Sequence, residues 1–117
     1  MSYIDGYVVA VPTRNKQNYI KIATEAAQVF KDHGALRVME SWADDVPDGK
    51  LTSFPLAVQC KPDESVVFCW IEWPDRATRD QGMKQAMADA RMQHDPAKMP
   101  FDGQRMIFGG FDSIVDC

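Results

Sequence analysis

The segment Ser65 to Trp73, with the sequence SVVFCWIEW, constrains the fold more than any other part of the chain. It is nearly continuous in β-branched and aromatic residues, and Pro74 ends it. A short apolar run of this kind is typical of a strand that is covered on both faces. We therefore expect Ser65 to Trp73 to be a central strand of a sheet.

The segments before this strand predict a strand, a helix and a second strand. Tyr3 to Val11 is rich in β-branched and aromatic residues and stops at Pro12, which predicts the first strand. From Asn15 to His33, apolar residues recur at steps of three and four, as in an amphipathic helix. Gly34 follows as the expected residue after the helix C-terminus. Ala35 to Ala43 alternates between apolar and polar residues and predicts the second strand.

The remaining segments predict a long polar connection, a second helix and a last strand. Asp44 to Pro55 is polar and holds a Pro-Asp-Gly turn signal. Asp75 is placed to cap a helix that runs to Met92. Arg105 to Phe111 predicts the last strand, which carries Gly109-Gly110.

The predicted order is β-α-β-β-α-β, which favours an α+β, ferredoxin-like fold with an antiparallel sheet in one domain spanning residues 1–117. Two helices can cover only one face of such a sheet. The aromatic side chains expected on the other face, those of Trp42, Phe68 and Trp70, would then lie in water. We therefore expect a homodimer in which a second copy covers that face.

Composition and charge exclude several classes of protein. The chain has 117 residues, and its 13 basic and 17 acidic side chains give a net charge of −4. This acidic balance argues against a nucleic-acid partner. No apolar segment approaches the length of a signal peptide core or a membrane span, and the three cysteines form no C-x-x-C pair. We expect a cytoplasmic protein with reduced thiols and no membrane partner.

Five motifs in the same order along the chain resemble the YbaA-like family, the domain of unknown function 1428. They are DGYVVAVP at 5–12, HGA at 33–35, DDVPDGK at 44–50, VVFCWIEWP at 66–74 and MPFDGQRMIFGGF at 99–111. The resemblance implies a ferredoxin-like protomer of the dimeric α+β barrel superfamily, in which two sheets enclose a cavity. That superfamily includes cofactor-independent monooxygenases, but a shared fold is a weak warrant for shared chemistry.

The candidate ligand-binding residues are two pairs of a carboxylate and an indole, with one cation close by. Glu40 with Trp42, and Trp70 with Glu72, are each spaced i, i+2, so that both members of a pair project from one sheet face. Arg105 is expected near them at the start of the last strand. A carboxylate among indoles is a candidate acid or base. Alternatively, the two glutamates pair with arginines across the dimer seam and fix its register.

Other motifs favour structural roles. Asp44, Asp45 and Asp48 lack the ligand spacing of a calcium loop and predict a solvated turn. His33 is expected to interact with the end of the first helix. Cys69 lies in the most apolar strand, which predicts a buried, unreactive thiol. No metal ligand set is recognised, and no cofactor is expected.

The sequence leaves three functions open. One is a cytoplasmic homodimer whose inter-sheet cavity binds a small apolar or aromatic molecule, with Trp42 and Trp70 as walls and Glu40, Glu72 and Arg105 as orienting groups. The second is a structural or interaction dimer with a filled interior and no catalytic activity. The third is an enzyme similar to the cofactor-independent monooxygenases. These residues fit an enzyme and a binding protein equally well.

Overall fold

A computed structural model describes residues 2–117 and contains one four-stranded antiparallel sheet. The strands are β1 (Tyr3–Pro12), β2 (Arg37–Trp42), β3 (Glu64–Trp73) and β4 (Ile107–Asp112). The α-helices are α1 (Lys16–Asp32), α2 (Phe54–Ala57) and α3 (Arg76–Ala88). Short 3-10 turns occupy Thr13–Asn15, Ala90–Met92, Pro96–Lys98 and Gly103–Arg105. Within residues 2–117, no helix is both long enough and apolar enough to cross a membrane.

The strand order β2-β3-β1-β4 places β1 and β3 in the centre of the sheet. This confirms the predicted α+β, ferredoxin-like fold and the central position of the SVVFCWIEW strand. The register pairs Tyr3 with Trp73 across β1 and β3, and Gly6 with Gly109 across β1 and β4.

One face of the sheet, the helix face, packs against α1 and α3. Alternate residues of β3 project from it, and Cys69, Ile71 and Trp73 are all fully buried there. They pack in clusters with α1, to which Val29 and Phe30 belong. The helix face therefore carries the main core.

The other face, the open face, is only partly covered. At one end, Val58 from the connection between β2 and β3 packs against Val8 and Val66. Beyond that end several large side chains are exposed, among them Phe68, which is 43% accessible, and Phe111, which is 60% accessible. The expectation that β3 is covered on both faces is therefore wrong for the protomer, because α1 and α3 lie on the helix face and the β2–β3 connection covers only one end of the open face.

The helices differ from the sequence prediction at their ends. Gly34 follows α1 at φ +112, a left-handed conformation that glycine adopts without strain, as predicted. Asp75 caps α3 by accepting a hydrogen bond from the Thr78 amide at 2.7 Å, also as predicted. However, α3 stops at Ala88 instead of Met92, because Asp89 has extended backbone angles and starts a new turn.

The structure differs from the sequence prediction in two further segments, the polar connection and the start of the last strand. The polar connection contains α2, in which the hydroxyl of Ser53 accepts a hydrogen bond from the Leu56 amide at 3.0 Å. Arg105 was predicted to open the last strand, but it ends a 3-10 turn, and β4 begins at Ile107. The Asp102 carboxylate caps that turn, and the strand therefore begins later in the chain than predicted.

Candidate functional site

The two predicted carboxylate and indole pairs lie on opposite faces of the sheet. Register between β2 and β3 pairs Glu40 with Cys69, so Glu40 and Trp42 belong to the helix face. It pairs Trp70 with Met39, so Trp70 and Glu72 belong to the open face. The prediction that the four side chains line one inter-sheet space is therefore wrong, and so is the expectation that Trp42 lies at an exposed seam.

Arg105 joins neither pair. Its guanidinium donates two hydrogen bonds of 2.7 Å to the two carboxylate oxygens of Glu64 and a third, of 2.9 Å, to the carbonyl of Gln59. The hydrogen bonds from Arg105 to Glu64 are the main reason that the pKa of Glu64 is lowered from 4.5 to about 2. Arg105 therefore fastens the turn before β4 to the start of β3. On the open face, Glu72 instead lies opposite Arg37 of β2.

A cavity of about 500 Å³ opens between the helix face and the helices. Its wall is mostly apolar and includes five methionines and three phenylalanines. They are Met83, Met87, Met92, Met99, Met106, Phe30, Phe101 and Phe108. Polar groups reach the cavity at a few points, and Glu40 is the one predicted site residue among them. We call this space the helix-side cavity.

Glu40 is held by three hydrogen-bond donors. The phenol of Tyr19 donates to Oε1 at 2.6 Å, and the thiol of Cys69 donates to the same oxygen at 2.8 Å. The phenol of Tyr7 donates to Oε2. Tyr7 and Cys69 are Cα partners on adjacent strands, and Tyr19 reaches down from the first turn of α1. The four side chains form a compact network, which we call the Glu40 cluster.

The electrostatics of the Glu40 cluster keep its donors protonated. Burial raises the pKa of Tyr7 far above its ordinary value, and the neighbouring Glu40 carboxylate raises it further. Burial and the charges of its neighbours raise the pKa of Tyr19 in the same way. The thiol of Cys69 also has a raised pKa, first because of burial and second because of Glu40. Cys69 is thus a buried donor and not an activated nucleophile, in agreement with the sequence prediction.

The outer wall of the cavity is formed by residues 89–106, which the sequence predicted only as a helix end and turns. This segment is fastened at its start, where the imidazole of His33 lies 3.0 Å from the Asp89 carboxylate and Arg91 donates to Asp32 at 2.8 Å. At its far end, Asn15 donates to the carbonyl of Pro100 at 3.0 Å. His33 directly follows α1, as predicted, but its imidazole contacts Asp89, and it is the backbone amide of His33 that bonds to the last helix carbonyls.

A second polar group, at the edge of the cavity, joins α3 to the sheet. The Arg79 guanidinium donates to the Asp5 carboxylate at 2.7 Å, and the indole N–H of Trp73 donates to it at 2.9 Å. Gly110 faces this ion pair, and a Cβ atom there would lie 2.7 Å from Arg79 Nη2 and would also contact the hydroxyl of Tyr3. The second glycine of Gly109-Gly110 therefore permits the close approach of Arg79 to the sheet.

Trp42 lines a separate groove of about 390 Å³ between α1 and β2. Its indole lies 6.4 Å from the ring of Tyr19, and the Lys16 ammonium lies 5.3 Å from the indole centre. Glu40 and Tyr19 border both this groove and the helix-side cavity. Trp42 is thus adjacent to the Glu40 cluster but forms no wall of the larger cavity.

The sequence reasoning missed Tyr7 and Tyr19, the two phenols of the cluster. Tyr7 lies two residues before buried Val9 on β1 and therefore shares its face of the sheet. Tyr19 begins the apolar stripe of α1, so both positions indicated a core face. Nothing in the spacing indicates that both hydroxyls meet Glu40. Within residues 2–117, no group of three or more His, Cys, Asp or Glu side chains is arranged to hold a metal ion.

Comparisons with known proteins identify the family and support the fold. The chain is 53% identical over 116 residues to the uncharacterized protein YbaA of Escherichia coli (strain K12), covering 99% of each chain, and equally similar to YbaA of Shigella flexneri. A NIPSNAP domain protein from Burkholderia xenovorans superposes with a TM-score of 0.60 at 14% identity, over 98% of this chain and 97% of the other. A dimeric ferredoxin-like protein from an uncultured marine organism gives 0.59 at 12% identity over both full lengths. The family model for proteins of unknown function DUF1428 matches residues 2–103, and the chain belongs to this family.

Proposed function

We propose that this protein binds a small, mostly apolar molecule in the helix-side cavity of each protomer. The observation that carries the proposal is a cavity of about 500 Å³ with a largely apolar wall and the Glu40 cluster at the sheet. Ligand sites typically measure about 300–1,000 Å³ and combine an apolar wall with a few polar groups. This site replaces the predicted inter-sheet site, because Glu40 belongs to the helix face.

The methionines of the wall suit such a role. Met83 and Met87 project from α3, and Met92, Met99 and Met106 come from the outer wall. Methionine has a flexible, polarisable side chain that adapts to the shape of a bound molecule. A wall of this composition can adapt to bound molecules of different shapes.

The proposal includes a cytoplasmic homodimer that buries the open face. The apolar residues of that face form what we call the open-face patch, in which Trp70 is partly exposed and the others are exposed: Phe54, Phe68, Ile107 and Phe111. Phe68 packs edge-on against both Phe54 and Trp70, with ring centres 5.7 and 6.1 Å apart. A contiguous apolar surface of this kind is typical of a contact between proteins. The dimeric ferredoxin-like neighbour supports a second copy as the partner, and three unpaired thiols support a reducing compartment.

A neutral fluorescent probe tests the proposed site. N-Phenyl-1-naphthylamine is expected to bind saturably to the wild-type protein, with one site per protomer. Ala26→Phe places a ring in the cavity and should abolish binding, because Ala26 of α1 forms part of the wall. Ala77→Phe is the matched control, because Ala77 is exposed on α3 and does not line the cavity.

The result also separates the proposal from its main rival. A structural dimer with a filled interior would show no saturable binding, or binding that Ala26→Phe leaves unchanged. Either outcome would overturn the proposed ligand site. Sedimentation equilibrium tests the dimer independently, with Phe68→Ser expected to weaken association because Phe68 lies in the open-face patch.

A further inference from the structure

We infer that the ligand of the helix-side cavity is an organic cation, an amine or ammonium compound with an apolar ring system, whose positive charge is received by Glu40. The inference rests on the proposed function and adds the chemical class of the ligand. It follows from the charges that face the cavity and from the partners that each charge already has.

Four ionisable side chains other than the tyrosines line the cavity: Asp5, Glu40, Arg79 and His94. Asp5 and Arg79 neutralise each other through a short ion pair. His94 is exposed on the outer wall. Glu40 is therefore the carboxylate of the cavity that lacks a cationic partner.

The neighbours of Glu40 confirm this lack of compensation. Within residues 2–117, every side chain that donates a hydrogen bond to Glu40 is a phenol or a thiol. Lys16 lines the adjacent groove, where its ammonium lies over the Trp42 indole. Hydrogen bonds hold the Glu40 carboxylate in place, but no side chain of the cluster brings a positive charge to it.

The geometry leaves room for one more donor at Glu40. Oε1 accepts hydrogen bonds from both Tyr19 and Cys69, whereas Oε2 accepts one from Tyr7 alone. A carboxylate oxygen can accept about two hydrogen bonds, so Oε2 retains capacity. An N–H of a cationic ligand would complete the set and supply the missing charge, which a neutral donor cannot do.

The remaining wall suits the rest of such a ligand. Phe30, Phe101 and Phe108 add aromatic rings to those of Tyr7 and Tyr19. Aromatic faces attract cations through the ring quadrupole, and the methionine sulfurs pack well against rings. A carboxylate ligand of the same shape would meet the Glu40 charge in a site of low polarity and would be repelled.

Three probes with one ring system and different charge test the inference. They are 1-naphthylmethylamine, which is cationic at pH 7, 1-naphthalenemethanol, which is neutral, and 1-naphthoate, which is anionic. Their affinities are measured by displacement of N-phenyl-1-naphthylamine. The amine is expected to bind about tenfold more tightly than the alcohol, a difference of about 1.4 kcal/mol, and the carboxylate is expected to bind most weakly.

Variants then assign the preference to Glu40. Glu40→Gln keeps the shape of the side chain and should reduce the advantage of the amine over the alcohol to less than about twofold. Glu72→Gln is the matched control on the open face and should leave the advantage unchanged.

The outcomes separate the inference from the proposed function. Equal binding of all three probes, or a preference for the amine that survives in Glu40→Gln, overturns the cationic ligand and leaves the cavity proposal standing. Failure of N-phenyl-1-naphthylamine to bind overturns both.

Discussion

The two faces of the sheet use the same strands for different purposes. Along β3, Cys69, Ile71 and Trp73 are fully buried on the helix face, whereas Phe68 on the open face is 43% exposed. Neighbouring residues in one apolar run therefore differ completely in their surroundings. A strand that is apolar on both sides is expected to be buried on both faces. The arrangement of the helices decides which of the two faces is buried within the protomer.

The difference also separates the two proposed roles. The helix face combines a core with a cavity and holds Glu40 in a network of neutral donors. The open face carries apolar rings that pack edge-on against one another, and it suits association with a second copy. Ligand binding and dimerisation can thus be disturbed separately, by substitutions on opposite sides of the same strands.

The largest contrast is expected between Trp73→Ala and Trp70→Ala. Trp73 is fully buried and donates a hydrogen bond to Asp5, so its loss should lower the free energy of unfolding by about 3–5 kcal/mol. Trp70 is partly exposed on the open face, and its loss should cost the protomer less than about 1 kcal/mol while it weakens association. Urea denaturation at low protein concentration measures both. Equal losses would contradict the assignment of the faces.

A smaller effect is expected from the ion pair that fastens the covered end of the open face. Arg105→Met leaves the nearly inaccessible Glu64 carboxylate without a cation and should cost about 2–3 kcal/mol at pH 7. Arg14→Met is the control, because the pair of Arg14 with Asp63 is exposed and should contribute less than about 0.5 kcal/mol. If the two variants unfold at the same urea concentration, the buried pair contributes no more than the exposed one.

The same ion pair predicts a dependence on pH. The folded protein holds the pKa of Glu64 at about 2, below its ordinary value of 4.5, so the unfolded chain takes up the proton first. The contribution of Glu64 to stability is therefore present above pH 4.5 and is lost as the pH falls toward 2. Arg105→Met should flatten the stability profile in this window, as measured by urea denaturation at a series of pH values. A profile parallel to that of the wild type would argue against the low pKa of Glu64.

Alanine substitutions at the two adjacent glycines of β4 are expected to differ by about 1–2 kcal/mol in their effect on the free energy of unfolding. Gly110→Ala should destabilise the protein by this amount, because the new Cβ would lie 2.7 Å from Arg79 Nη2 on the helix face. Gly109→Ala projects to the open face, where its Cβ would lie 3.5 Å from the Phe111 ring, an ordinary contact. Thermal unfolding of the two variants measures the difference. An equal shift in melting temperature would mean that the side chains of the helix face accommodate the new methyl group as readily as those of the open face.

The smallest contrast concerns the two glutamates. Glu40→Gln should cost about 1 kcal/mol, because an amide N–H₂ replaces one of the acceptors that face Tyr7, Tyr19 and Cys69. Glu72→Gln should change stability by less than about 0.5 kcal/mol, because Glu72 lies on the partly exposed open face. Denaturant midpoints of the two variants test this. A larger loss for Glu72→Gln would show that Glu72 holds a structural contact absent from the protomer.

The period of each strand predicted part of the candidate site. Alternation along β2 places Glu40 with Trp42, and alternation along β3 places Trp70 with Glu72, and the structure confirms both pairings. The relation between the pairs depends on the register of β2 against β3. A slip of one residue would reverse every side chain of a strand, and no local pattern fixes that register. The predicted site therefore contained Glu40 correctly placed on its own strand but joined to partners from the wrong face.

The sequence by itself determined the order of the four strands and the two long helices, their approximate ends and the family. It did so because hydrophobic period, capping residues and prolines act locally, as with the Asp75 cap of α3 and the glycine after α1. Only the tertiary structure decided that Tyr7, Tyr19 and Cys69 meet Glu40, and that residues 89–106 close a cavity above them. Those contacts join residues 21 to 33 positions apart, or depend on a segment whose own pattern is only a series of turns. Their positions follow from strand register and helix packing, which no single stretch of the chain encodes.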